Sequence, residues 1–128
     1  MLSIEQGYYV VYKFLEHYWM TVDKFVKYKN ADFSLVTVIS TMSPGEMNNP
    51  NPVDFARYVD WKSVISDGRE KNVLFEETDV YSAMISYLKF YAEEFEFNLR
   101  GAIADIEENF ALKYSSIWEA IISGTKTP

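Results

Sequence analysis

Residues 3–19 of this 128-residue chain read SIEQGYYVVYKFLEHYW, and this stretch decides the class of fold. Apolar side chains recur at positions 4, 8, 11, 15 and 18, the spacing of one face of an α-helix. Ser3 and Gln6 have the spacing of a capping box, in which each side chain bonds a backbone N–H at the helix start. The stretch therefore predicts an amphipathic helix that begins just after Ser3.

The same helical period continues through the middle of the chain. Asp32 is a candidate cap for a helix over 32–42, where the apolar spacing favours a helix over a strand because it does not alternate. Residues 43–51 are rich in Pro and Asn and predict a loop. Pro52 then suits the first position of a helix that ends near Ser66, with Gly68 closing it. Residues 22–30 are open to two interpretations, a helix extension or a basic connector.

The C-terminal half predicts three further helices. Apolar residues at helical spacing cover 78–97 and 99–110, with a break near Asn98. Ser116 and Glu119 form a second capping-box pattern, which predicts a short helix that Gly124 ends. Together these segments predict an all-α fold, a single helical domain over 1–128 built as one compact bundle of about five to seven helices.

An internal similarity between the two halves leaves two interpretations open. When the sequence is compared with itself at an offset of 73 residues, Tyr8, Leu15 and Tyr18 align with identical residues at positions 81, 88 and 91. At an offset of 64, Leu35 aligns with Leu99. Either two helix pairs are diverged copies, or two unrelated amphipathic helices align equally well.

Composition and charge narrow the classes of function. Hydrophobic residues are 48% and charged residues 24%, as in folded domains, and aromatic residues reach 17%. The absence of Cys excludes disulfides and thiolate nucleophiles, and no signal peptide or apolar span is present, so we expect a cytoplasmic protein. The net charge of −7 divides into −1 over residues 1–75 and −6 over residues 76–128. That balance disfavours nucleic acid and membrane as partners and favours a basic protein.

Residues that carry catalysis are scarce. His17 is the sole histidine and shares the polar face of the first helix, so we interpret it as a solvated surface residue. The chain has only five Gly and no Gly-rich phosphate loop. Neighbouring carboxylates on a helix point apart, which favours a solvated face over a metal site. We therefore predict no enzymatic activity, no cofactor and no metal site.

The acidic residues of the second half are the candidate partner-binding residues. If helices 78–97 and 99–110 pack as an antiparallel pair, most of these acids gather on one surface, which Lys89 and Arg100 offset in part. The set is Glu76, Glu77, Asp79, Glu93, Glu94, Glu96, Asp105, Glu107 and Glu108. The aromatic residues Tyr87, Tyr91, Phe95 and Phe97 are interleaved with these acids; most should be core, and some should stay exposed.

Three segments resemble a known family. They are residues 7–19, the helix from Leu35 to Met42 with the loop and the Pro-initiated segment that ends in Tyr58-Val59-Asp60-Trp61, and residues 81–91. These resemble the immunity proteins of contact-dependent growth inhibition, in particular the helical type that neutralises a ribonuclease toxin. The resemblance implies a protein without catalysis that binds one cognate toxin domain in the cytoplasm and masks its active site.

Two functional hypotheses follow, beside a less favoured third in which the Glu clusters make the chain an enzyme or a metal-binding bundle. The first is an immunity protein that exists as one chain in a heterodimer with a basic toxin domain. The alternative is a non-enzymatic helical adaptor or a homo-oligomeric scaffold whose aromatic residues form a self-association interface. Trp61 and Asp60 are expected to be structural, with the indole between helices and the carboxylate meeting a backbone or Lys donor.

Overall fold

The computed structural model describes residues 2–21, 34–42, 55–66 and 77–126. Within these ranges the fold is all-α, with no β-strand, which confirms the predicted class. The helices are α1 (Ile4–Thr21), α2 (Ser34–Met42), α3 (Phe55–Ser66), α4 (Glu77–Glu94), α5 (Arg100–Asn109) and α6 (Ser115–Lys126). A π-helical segment (Phe110–Tyr114) joins α5 to α6, so residues 100–126 are helical throughout and the described chain forms five rods.

Helix α1 is the centre of the bundle. It packs against α2, α3, α4 and α6, and the residues that it buries include Tyr8, Val11, Leu15 and Tyr18 from the predicted apolar face. The capping box is confirmed: Ser3 N–H donates to Gln6 Oε1 at 2.9 Å, and Gln6 N–H donates to Ser3 Oγ at 3.1 Å. These two bonds satisfy backbone donors that have no partner within the helix, and they define where α1 begins.

The π-helical segment aligns an aromatic row against α1. Phe110, Tyr114 and Trp118 all lie within 6.1 Å of the ring of Phe14, measured between ring centroids. A π-helical turn contains an extra residue and so rotates the helix that follows it. Buried residues of α6, such as Trp118, therefore lie on the core-facing side together with those of α5, such as Ile106. The three rings therefore pack around one buried side chain of α1, Phe14.

The second capping box is a wrong prediction. Ser116 lies inside a continuous helical run, and the Ser115 hydroxyl donates to the carbonyl oxygen of Ala111 at 3.0 Å, one turn back. A Ser-x-x-Glu pattern caps a helix only where the preceding backbone leaves the helix, and here the π turn keeps it helical. Gly124 also does not end the helix, which continues to Lys126.

Helix α4 ends earlier than the sequence predicts. It stops at Glu94, and residues 95–99 form the turn that leads into α5. Glu96 has a φ of 56°, in the left-handed region, and the N–H groups of Phe95 and Phe97 both donate to the carbonyl oxygen of Tyr91. The left-handed conformation of Glu96 ends the helix and redirects the chain before Phe97. The predicted break near Asn98 lies within this turn.

Trp61 and Asp60 are built into the contact between helices. The Trp61 side chain is completely buried, and its Nε1–H donates to the carbonyl oxygen of Ile4 at 3.1 Å, as expected for an indole between helices. Asp60 instead accepts a hydrogen bond from the Tyr91 hydroxyl at 2.7 Å, so its donor is neither a backbone group nor a Lys. A phenol supplies the bond because α4 brings Tyr91 across the face of α3.

Several predictions lie outside the described residues. These are the Asp32 cap, the nature of 22–30, the loop over 43–51, the Pro52 helix start and the Gly68 stop. The duplication of the two helix pairs stays a prediction. Helices α2 and α3 nevertheless lie within the predicted segments, 32–42 and from Pro52 to about Ser66.

Candidate partner-binding surface

A groove lies between α4 and α5, where the sequence placed most of the candidate acids. Its volume is about 520 Å³, and its floor is made of the small and apolar side chains of Ala92, Ile103 and Ala104. Three acids and two bases line its walls: Glu93, Glu96, Glu107, Lys89 and Arg100. The groove therefore combines apolar side chains with a mixed charged rim of three acids and two bases.

The three acids of the rim, Glu93, Glu96 and Glu107, are exposed to solvent. Glu94 and Glu108 are exposed as well but do not line the groove. Lys89 Nζ and Glu107 Oε1 are 3.8 Å apart, and both side chains are about half exposed, so their mutual attraction is weak. This pair is a loose contact that an incoming cation can displace.

Asp105 points away from the groove although it lies only two residues before Glu107. Its Oδ2 accepts hydrogen bonds from the hydroxyls of Tyr18 and Tyr114, each at 2.7 Å, and its Oδ1 accepts one from Asn109 Nδ2 at 2.7 Å. Residues two apart on a helix face nearly opposite directions. Asp105 thus joins α1, α5 and the π-helical segment, and it lies apart from the surface formed by the other acids.

The remaining candidate acids lie at or before the start of α4. Glu77 is the first residue of α4, Asp79 is partly buried in its first turn, and Glu76 is outside the described residues. The groove-lining residues begin only at Lys89, three turns further along α4. The structure therefore does not bring Asp79 into the groove.

The interleaved aromatic residues divide into core and surface. Tyr87 and Tyr91 are fully buried, with hydroxyl oxygens 3.3 Å apart, and the Tyr87 hydroxyl donates to the carbonyl oxygen of Arg57 at 2.8 Å. Burial raises the pKa of Tyr91 to about 12, and it also raises the pKa of Tyr87. Phe95 is 51% exposed in the turn between α4 and α5, which confirms that part of the set stays at the surface.

Sequence reasoning missed Arg57 of α3, which lies against this turn. Its guanidinium carbon is 4.8 Å from the ring centroid of Tyr91 and 5.9 Å from that of Phe97. Its Nε–H donates to Thr41 Oγ1 at 2.7 Å. The available signal was the spacing of Arg57, Asp60 and Trp61 on one helix, which indicates a polar edge beside a buried indole.

His17 is exposed, as the sequence predicts. It lies in a second groove of about 520 Å³ between α1 and α6, together with Lys13, Glu16 and Met20 of α1 and two isoleucines of α6. Lys13 Nζ is 3.4 Å from Glu16 Oε1 within the same helix. This groove brings no second titratable group into hydrogen-bond distance of the imidazole in the described part of the chain.

Metal sites and membrane spans were sought in the same residues. Within 2–21, 34–42, 55–66 and 77–126, no three His, Asp or Glu side chains are placed to share a metal ion. None of the helices in these ranges has the length and apolar character needed to cross a bilayer. In comparisons with protein-family models, curated proteins and solved structures, no match to this chain was found. Function is therefore inferred from the residues and their geometry.

Proposed function

We propose that this chain is a cytoplasmic, non-enzymatic immunity protein that binds one basic nuclease toxin domain and blocks the site where RNA would bind. The observation that carries the proposal is the groove between α4 and α5, whose rim of three acids and two bases has a net negative charge and surrounds apolar side chains. A nuclease must present positive charge to RNA phosphates, and a negative surface of this kind competes for the same positions.

The exposed turn at one end of the groove supports the proposal. Phe95 offers a half-exposed aromatic ring beside Glu96, so an apolar anchor and a carboxylate lie next to each other. Buried aromatic anchors slow dissociation, while surrounding charges accelerate association and select the partner. An interface of standard size buries about 800 Å² on each partner, so a complex would have to involve the two helices and their turn beyond the groove itself.

The proposal predicts that the gene immediately upstream of this chain's gene encodes a basic nuclease domain, and the test uses that domain. The purified chain should form a one-to-one complex with that domain and stop its cleavage of RNA at equimolar concentration. Absence of a complex at micromolar concentrations, or a complex that cleaves RNA at the full rate, would contradict the proposal.

Two double variants locate the surface. The groove variant carries Glu93→Lys and Glu107→Lys, and the distal variant carries Glu5→Lys and Glu119→Lys, which change the net charge equally at exposed positions on α1 and α6. The groove variant should need a large excess to inhibit the nuclease, whereas the distal variant should inhibit like the parent chain. Equal loss in both variants would mean that only the total charge matters.

A helical scaffold is the second candidate, favoured by two exposed apolar side chains outside the groove. Leu112 is 91% exposed in the π-helical segment, and Met20 is 73% exposed near the end of α1. Apolar side chains of this size at a surface are consistent with a self-association interface. Light scattering separates the two candidates: a stable homodimer without affinity for the nuclease supports the scaffold.

A further inference from the structure

Arg57 is held in place from two sides. Its Nε–H donates to Thr41 Oγ1 of α2, and its guanidinium lies over the rings of Tyr91 and Phe97. Thr41 itself is oriented by donating its hydroxyl hydrogen to the Thr37 carbonyl oxygen at 2.8 Å. Immobilising an arginine side chain on binding normally costs conformational entropy. The Arg57 side chain is already held in the free protein, so binding a ligand adds little of this entropy cost.

The guanidinium carries five N–H donors, and no described carboxylate forms an ion pair with it. Its Nε–H donates to Thr41 Oγ1, and the guanidinium also forms a side-chain hydrogen bond with the Tyr91 hydroxyl, which leaves further donors for a ligand. Asp60, one turn along α3, accepts a hydrogen bond from the Tyr91 hydroxyl at 2.7 Å. Arg57 as a whole is partly exposed, so part of its side chain is open to solvent.

The ligand site borders an apolar contact. Phe95 lies 5.6 Å from Tyr91 and 6.1 Å from Phe97 between ring centroids, so the half-exposed ring belongs to the same cluster as the two rings beneath Arg57. A planar cation beside an exposed aromatic ring is a common centre of protein interfaces. The cation–π contacts hold the guanidinium plane without using its hydrogen-bond donors.

We infer that Arg57 and Phe95 form a receptor for an Asp or Glu side chain of the protein partner, with the carboxylate bound by the Nη edge and the neighbouring apolar group on Phe95. The inference rests on the proposed function, since it names a feature of the same partner. A wholly basic surface would be repelled by Arg57, so the receptor selects a basic domain that also presents one carboxylate at this point.

The first experiment measures the receptor without the nuclease. In NMR titrations of the full chain, N-acetylglutamate amide should shift the Arg57 Nε–Hε signal and the Phe95 ring signals, with a dissociation constant on the order of 10–100 mM. N-acetylglutamine amide, which has the same shape without the charge, should leave both unmoved. Equal shifts with the glutamine compound, or saturation by inorganic phosphate at lower concentration than by the carboxylate, would overturn the assignment.

The second experiment measures the receptor in the complex. Arg57→Lys keeps the charge but loses the planar pair of donors, and it should speed dissociation of the upstream-encoded nuclease domain about tenfold or more. The matched control is Lys113→Ala, an exposed cation of the π-helical segment, which should leave dissociation unchanged. Thermal unfolding of both variants shows whether the bundle is intact.

The two proposals fail in different ways. If the groove variant loses affinity while Arg57→Lys binds like the parent chain, the proposed function stands and the Arg57 receptor is overturned. If the parent chain does not bind the nuclease, the proposed function fails, and the carboxylate titration alone decides whether Arg57 is an anion receptor.

Discussion

The two sides of α5 use the same chemical group in opposite ways. On one side, Asp105 holds three short hydrogen bonds from Tyr18, Asn109 and Tyr114. On the other side, Glu107 is exposed and approaches Lys89 no closer than 3.8 Å. A carboxylate satisfied by fixed donors stabilises the fold, whereas one left in solvent is available to a partner. The difference shows that position on the helix, rather than acidity, decides which role an acid has.

Asp105→Ala tests the inward side and should have the largest effect. It removes the acceptor of two tyrosine hydroxyls that lie at partly buried positions, so we expect a loss of about 3 kcal/mol in the free energy of unfolding. Urea denaturation measures the loss. Stability equal to that of the parent chain would show that the three hydrogen bonds contribute nothing.

Alkaline pH tests the other buried tyrosines. The pKa of Tyr91 is raised from 10.0 to about 12, so its stabilising effect is complete below pH 10 and is lost as the pH rises through about 12. After allowance for solvent screening, we expect the free energy of unfolding to fall by about 1–2 kcal/mol over this interval. Tyr87, whose pKa is also raised, adds to the fall. A flat profile in urea denaturation between these pH values would contradict the burial of both hydroxyls.

Tyr18→Phe refines the comparison by removing one donor and leaving the carboxylate. Asp105 keeps its bonds from Tyr114 and Asn109, so the expected loss is about 1 kcal/mol. A double-mutant cycle with Asp105→Ala should give a coupling energy of similar size, because both variants remove the same bond. Additive effects of the two substitutions would place the stabilisation elsewhere.

Glu107→Gln tests the outward side and should have the smallest effect on stability. It removes an exposed ion pair with Lys89, and such pairs contribute about 0–0.5 kcal/mol. The same denaturation assay serves as the measurement. A loss as large as that of Asp105→Ala would contradict the assignment of Glu107 to a free surface.

The sequence predicted the features that depend on neighbouring residues. The Ser3–Gln6 capping box and the apolar face of α1 follow from local spacing, and both are present. The same local pattern at Ser116 was misleading, because a π turn that packs Phe110 and Tyr114 against Phe14 keeps the backbone helical there. Whether a local signal operates depends on the packing around it.

The site was predicted only in part for the same reason. The acids that share the groove face of α4 and α5 follow from the period of the two helices, and the same period could have separated Asp105 from Glu107. The local spacing of Arg57, Asp60 and Trp61 could indicate a polar edge on α3, but it could not give the partners of Arg57. Those partners lie on α2, on α4 and in the turn after α4, far from Arg57 in the sequence.

The association rate of the groove variant tests the central claim most directly. Stopped-flow binding of the upstream-encoded nuclease should be slowed at least tenfold by Glu93→Lys with Glu107→Lys at low salt, and the difference should shrink as salt rises. The distal variant with Glu5→Lys and Glu119→Lys should associate much closer to the parent rate. Equal rates for the parent chain and the groove variant at low salt would contradict the account, because the negative rim would then have no part in capturing the partner.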